Sequence, residues 1–184
     1  MKQILLETPI KDVYVSLAFT GRSDEEREQI RHFIAANVIS VVEDLGLTYF
    51  FPYDGSFEEK KKNIKEPRVL QERLKRVALT SKLMVVITDY KAHGVGAEAE
   101  MAEMAMIPII IIHGNGEKIS EMITGIDTVK EIIRGDGDDA KLKKTLRQAI
   151  NRHILRESFI KRESRALEAS QKLFYYITRT SPAV

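Results

Sequence analysis

The feature that most constrains this chain is the alternation of two hydrophobic rhythms along it. Residues 13–19, 83–88 and 107–112 are nearly unbroken runs of β-branched, aliphatic and aromatic side chains. Runs without polar alternation suit strands buried on both faces. Between them, apolar residues recur at helical spacing: Ile30, Phe33, Ile34, Val38, Val41, Val42 and Leu45 follow the first run, and Leu70, Leu74 and Val77 precede the second. Weaker strand signals at 47–51 and 128–133 bring the count to five. Strands that alternate with helices need right-handed crossovers, and therefore a parallel sheet. The sequence predicts an α/β fold of three layers: a five-stranded parallel sheet in the order 2-1-3-4-5, helices on both faces, and a helical extension at the C-terminal end.

Local punctuation supports that reading. Ser23 with Glu26 three residues on forms a capping box, and Gly46 stops the helix that follows. Residues 52–66 read as a long polar loop, with Asp54-Gly55 and the run Lys60, Lys61 and Lys62 as solvated surface. Pro67 suits the first turn of the next helix. A short helix is expected over 97–106 and a last core helix from about Asp138. A length of 184 residues accommodates one α/β domain over 1–150 and a tail over 151–184.

Composition narrows the function classes. With 29 basic and 27 acidic side chains, the near balance gives no argument for nucleic acid as a partner. The tail carries seven basic against three acidic residues and reads as basic amphipathic helix, its stripe running through Ile150, Ile154, Phe159, Ile160, Leu167, Leu173 and Phe174. Such a stripe must be buried, against the domain or in a homo-oligomer, and a basic surface for nucleic acid or membrane is the remaining alternative. There are no cysteines, which excludes disulfides and thiolate metal sites and agrees with a cytoplasmic location. No signal-like or membrane-spanning run is read, so no membrane partner is expected. His32, His93, His113 and His153 show no metal-ligand spacing, and no metal or organic cofactor is expected.

The chemistry-bearing stretch follows the second apolar run. Asp89, His93, Gly94 and Gly96 lead into Glu98, which the reading places in the first turn of a helix. Glycines at a strand-to-helix turn let a ligand approach the backbone, and the helix start would lower the pKa of Glu98. A charged carboxylate at a cleft can attack an anomeric carbon or stabilise an oxocarbenium-like charge. The plainer alternative is a first-turn acid that only complements the helix dipole. Glu100 and Glu103 are expected to face solvent. Residues 113–118 have glycines and a lysine without the phosphate-loop order, and read as a cleft-edge loop.

Residues 13–21, the Gly94-Val95-Gly96-Ala97-Glu98 element with Ala102, the run 108–112 and residues 120–125 together resemble the nucleoside 2-deoxyribosyltransferase superfamily. The likeness is greatest to its 2′-deoxynucleoside 5′-phosphate N-hydrolase branch and covers roughly residues 12–150. It implies that Glu98 is the nucleophile on the deoxyribose C1′. It also implies that Tyr14, Ser16, Gly21, Asp89, His93, Gly94, Gly96 and Ser120 bind substrate, with Ser120 holding a 5′-phosphate across a dimer interface. The expected partner is a nucleoside or nucleotide.

The chain departs from the family pattern at four places. Leu17 replaces a glycine and is expected to crowd a ligand, Leu74 stands near the position of a helix aspartate, Ala92 replaces a serine or aspartate, and Lys82 replaces an aspartate opening the third strand. Glu72 or Asp89 are the carboxylates nearest to substituting. A nucleophile without acid assistance is slower by ~10²–10⁴-fold. The readings are therefore an N-glycosidase or deoxyribosyltransferase-like enzyme, a catalytically degenerate nucleotide-binding or signalling module, and a Toll/interleukin-receptor-like NAD hydrolase.

Overall fold

A computed structural model of the chain describes residues 10–19, 21–54, 74–75, 77–88, 93–114 and 119–155. The lysine run, the Pro67 helix start, Glu72, Asp89, Ala92 and the tail beyond residue 155 lie outside the described residues. Strand β1 (Val13–Leu17) is buried along its whole length, as its continuous apolar character requires. Helix α1 (Asp24–Ile34) starts at the anticipated capping box: the Glu26 amide donates to Ser23 Oγ at 3.2 Å, and the Ser23 amide donates to Glu26 Oε2 at 2.7 Å. It continues through a π-helical stretch (Ala35–Ile39) into α2 (Ser40–Asp44), and Gly46 takes φ +69° just beyond. Helical periodicity alone gives no sign of the π stretch, because its one extra residue per turn leaves the apolar face continuous.

The edge strand β2 (Tyr49–Phe50) is shorter than the expected 47–51. Thr48 is occupied instead with Asp12, whose carboxylate accepts from its amide and hydroxyl at 2.8 Å each. After β3 (Leu83–Ile87) come α3 (His93–Met104), β4 (Ile109–His113), the short α4 (Glu121–Thr124), β5 (Val129–Arg134) and α5 (Asp139–Ile150), which runs on as a second π-helical segment (Asn151–Leu155). Asp138 caps α5 by accepting from the Lys141 amide at 3.0 Å. The sheet is wholly parallel in the order β2-β1-β3-β4-β5, as anticipated.

Side chains alternate across this sheet, so each strand feeds two cores. Val13, Val15, Leu17, Val85, Ile87, Ile110 and Ile112 meet Ile34, Val38 and Val41 of the α1–α2 arm and Leu142, Leu146 and Ile150 of α5. Tyr14, Met84, Val86, Ile109 and Ile111 meet Val95, Ala99 and Ala102 of α3. The three layers follow. Leu17 therefore points to the face away from α3, and the expectation that it crowds a ligand beside Glu98 is not met. Lys82 is likewise remote from the carboxyl ends of the strands. It pairs at 2.6 Å with Asp12 at the opposite end of the sheet, and with Thr48 it holds the Asp12 pKa below its usual value against the opposing effect of burial.

Candidate active site

Two positional facts bring the site together. In β1, Tyr14 and Ser16 are two residues apart and so face the same side, toward α3. In α3, Val95, Ala99 and Ala102 are the buried positions, and Glu98 falls on the same stripe by helical spacing. A carboxylate thus occupies a place on the sheet-facing side where a residue chosen for packing alone would be apolar. Ser16, wholly buried, donates its hydroxyl to Glu98 Oε2 at 2.5 Å. The Tyr14 ring is also buried and stacks on Phe50 with centroids 5.5 Å apart. Its hydroxyl lies beside the Glu98 carboxylate in electrostatic reach, though it makes no hydrogen bond of standard geometry.

Burial dominates the electrostatics here. Desolvation pushes the Glu98 carboxyl above its ordinary value, while the Ser16 and Tyr14 hydroxyls pull it back down. Burial, reinforced by the negative charge of Glu98, pushes the Tyr14 phenol well above its usual range. The direction for Glu98 reverses the sequence-based expectation, and the reason is the helix start. α3 begins at His93 rather than at residue 97, so Glu98 sits in its second turn. The helix field fades beyond the first turn, which leaves desolvation as the larger influence.

The same shift in helix start changes the role of the glycines. Gly94 and Gly96 lie inside α3, not in a loop; neither has a positive φ, and a Cβ at either would meet nothing within 4 Å. Each costs the helix roughly 0.5–1 kcal/mol relative to alanine, and no packing among the described residues requires them. Gly21, by contrast, takes φ +85° in the turn between β1 and α1, a conformation that favours glycine. His93 opens α3, but its side chain is outside what is described. Ser120 stands exposed before α4, and its hydroxyl makes no capping bond. Glu100 is exposed as expected, whereas Glu103 accepts from the Asp127 amide at 2.8 Å and ties α3 to the approach of β5.

Two polar residues at this end of the sheet were not anticipated. His113 was expected in a loop; it is instead the buried last residue of β4, and residues 115–118 of that loop lie outside the described ones. Its Nδ1 lies 3.1 Å from Thr88 Oγ1 and 3.2 Å from the Thr88 carbonyl oxygen. Thr88 is tied into the rim of the sheet by its amide, which donates to the Ile112 carbonyl at 3.0 Å. Both side chains continue the α3-facing alternation of their strands, Val86 to Thr88 and Ile111 to His113. In the sequence, a single polar residue closing each apolar run was the available signal.

No protein-family model matches the chain, and no curated protein is similar to it in sequence. Among solved structures, its fold matches that of a 2-deoxyribosyltransferase from Bacillus psychrosaccharolyticus, characterised as a biocatalyst for nucleoside synthesis. The match has 20% identity and a TM-score of 0.51, and covers 73% of this chain and 94% of that one. Similarity at that level establishes the fold: a five-stranded parallel α/β sheet of the deoxyribosyltransferase kind.

Proposed function

We propose that this chain cleaves the N-glycosidic bond of a nucleoside or nucleotide, as a hydrolase or deoxyribosyltransferase-like enzyme, with Glu98 as nucleophile. The observation that carries the reading is Glu98 itself, a carboxylate on the sheet-facing stripe of α3 held by a hydroxyl from β1. Burying it there weakens the fold, whereas an apolar residue would strengthen it. The arrangement suits a nucleophile: partial desolvation strips the carboxylate of water, and Ser16 fixes one oxygen. The likeness in fold to a 2-deoxyribosyltransferase supports the substrate class. Substrate enters at the carboxyl ends of the strands, as ligands of such sheets do.

In the reaction, a Glu98 oxygen bonds to C1′ as the C1′–N bond breaks, giving a glycosyl ester. Water or a second base then takes the sugar and releases the carboxylate. We also propose a homo-oligomer in which Ser120 serves a neighbouring subunit. Ser120 is exposed, and Met122 beside it is 83% exposed, a large apolar group at the surface. Light scattering should give a mass above that of one chain, and a monomer at micromolar concentration removes the role for Ser120.

A binding-only module is the second reading, favoured by half-buried Leu74, which packs against the α3-side core near where the family carries an aspartate. A chromatographic screen for free base separates the two. Wild type and Glu98→Gln are incubated with nucleosides, deoxynucleotides and NAD. The enzyme reading expects base release by wild type from at least one of these and a loss by orders of magnitude in the variant. Release from NAD alone would favour the NAD hydrolase, and no release from any substrate would leave the binding module.

A further inference from the structure

We propose that the amphipathic segment after Leu155 folds back on its own domain and seats its apolar stripe on the corner where α3 ends, at Met104 and Met106. The inference is independent of the N-glycosidase reading. α3 closes in a Schellman motif: the Ile107 amide donates to the Ala102 carbonyl at 2.8 Å, and the Met106 amide donates to the Glu103 carbonyl at 2.8 Å. Met106 turns the chain with φ +56°, the left-handed conformation for which glycine is the usual choice. A methionine there strains the turn, and its side chain is 45% exposed, as is that of Met104. Glycine would give a better turn, so the turn itself does not account for an apolar side chain at this point. Unbranched thioethers adapt to the shape of an incoming apolar helix face.

The topology brings the start of the tail to the same corner. α3 runs from the carboxyl ends of the strands to their amino ends, where Met106 leads into β4. α5 runs the same way over the other face and passes into the π-helical segment Asn151–Leu155. There Arg152 forks onto Glu131 of the edge strand β5 at 2.9 and 2.5 Å, and His153 Nε2 lies 2.7 Å from the same carboxylate. Leu155 therefore leaves beside the edge of the sheet. From Glu131 to the methionines the surface is continuous. The neighbouring Lys130 donates to the Asp127 carbonyl at 2.9 Å, and the Asp127 amide donates to Glu103, one residue before Met104. Ile132, on the α3 side by its register with Ile111, is 44% exposed at this edge. Rounding the edge crosses two layer spacings of about 10 Å each, whereas residues 156–184 span roughly 43 Å even if wholly helical. Charge favours the same seat: those residues carry six basic against three acidic side chains, and exposed Glu100 and Asp127 and half-buried Glu103 flank the methionines. Tethering holds the tail at about millimolar local concentration, which selects its own domain over a second copy.

The chain has no cysteine, so one introduced thiol reports on the corner without background. Met106→Cys is labelled with a water-soluble maleimide in the full chain, and again in the full chain carrying Ile160→Asp and Leu167→Asp, which break the stripe. Met104→Cys repeats the measurement away from the strained turn, and Lys144→Cys, exposed on α5, is the control. The two aspartates should speed labelling at 104 and 106 by about tenfold or more, as expected when a docked segment is released, and leave the rate at 144 unchanged. Added salt should speed labelling at the corner in the unbroken chain, and dilution through the micromolar range should not. Equal rates at the corner with and without the aspartates overturn the proposal and leave the basic stripe to nucleic acid or a membrane surface. Protection that disappears on dilution, as the mass falls to that of one chain, places the tail on a second copy and overturns docking within the chain. Acceleration at 104, 106 and 144 alike reports a loosened domain and overturns it as well.

Discussion

The two faces of the sheet are built from the same strands to different ends. Toward α1, α2 and α5, β1 offers Val13, Val15 and Leu17, β3 offers Leu83, Val85 and Ile87, and β4 offers Ile110 and Ile112, none more than 4% exposed. Toward α3 the lower part is equally apolar, but the carboxyl ends carry Ser16, Thr88 and His113, and the covering helix presents Glu98 among small residues. Because neighbouring side chains on a strand belong to opposite faces, Leu17 can complete an apolar core directly beside Ser16. Stability and chemistry are thereby separated by one residue of alternation. The α3 face gives up apolar burial at its rim, and Gly94 and Gly96 weaken the helix that closes it.

That contrast breaks most severely at Glu98. Replacing it with glutamine should cost turnover by orders of magnitude while the fold improves. The folded Glu98 pKa lies above its unfolded value, so the folded state binds this proton more tightly. Stability is therefore lost as pH rises from the ordinary carboxylate value to the raised one, and stays lower above it. The melting temperature of Glu98→Gln should exceed that of wild type at neutral pH, and the gap should close below the ordinary carboxylate range. A variant less stable than wild type at neutral pH means that Glu98 is held by compensating contacts, and the contrast between the faces fails.

The opposite face should answer in the opposite way. Ile110→Ala, at a wholly buried position, should lower unfolding stability by about 2–5 kcal/mol in a denaturant titration and leave kcat of the folded protein unchanged. A large fall in kcat would show that the two cores are coupled. The smallest effect is expected at Ser16→Ala. Losing a hydrogen bond to a charged group, about 1.5–3 kcal/mol, should reduce turnover by roughly ten- to a hundredfold. Because that bond lowers the Glu98 pKa, the acid side of the pH–rate profile should move to higher pH in the variant. An unmoved profile would make Ser16 a packing residue.

Much of this was legible in the residues, and the failures have definite causes. The capping box at Ser23, the stop at Gly46, a last core helix from about Asp138 and five parallel strands rest on local chemistry and period, and each is present, although β2 is shorter than expected and β4 extends to His113. The start of α3 was misplaced by four residues because glycines usually break helices, while here Gly94 and Gly96 are carried inside one. The misplacement reversed the Glu98 pKa, since a first-turn field was assumed where burial rules. His113 was missed because a histidine followed by glycine resembles a loop start, and only pairing with β5 and Thr88 extends the strand to it.

What the sequence determined by itself is the alternation of buried strands with amphipathic helices, hence a parallel sheet, and the presence of a carboxylate, Glu98, just past the glycines that follow the third strand. Periodicity and capping are local, so a single chain displays them. What only the tertiary structure decided is which groups meet: Ser16 with Glu98, 82 residues apart, and Thr88 with His113, 25 residues apart. Those pairings depend on strand order, register and the face each helix covers. They also decide the balance between desolvation and hydrogen bonding at Glu98, because burial is a property of the assembled layers and of no segment alone.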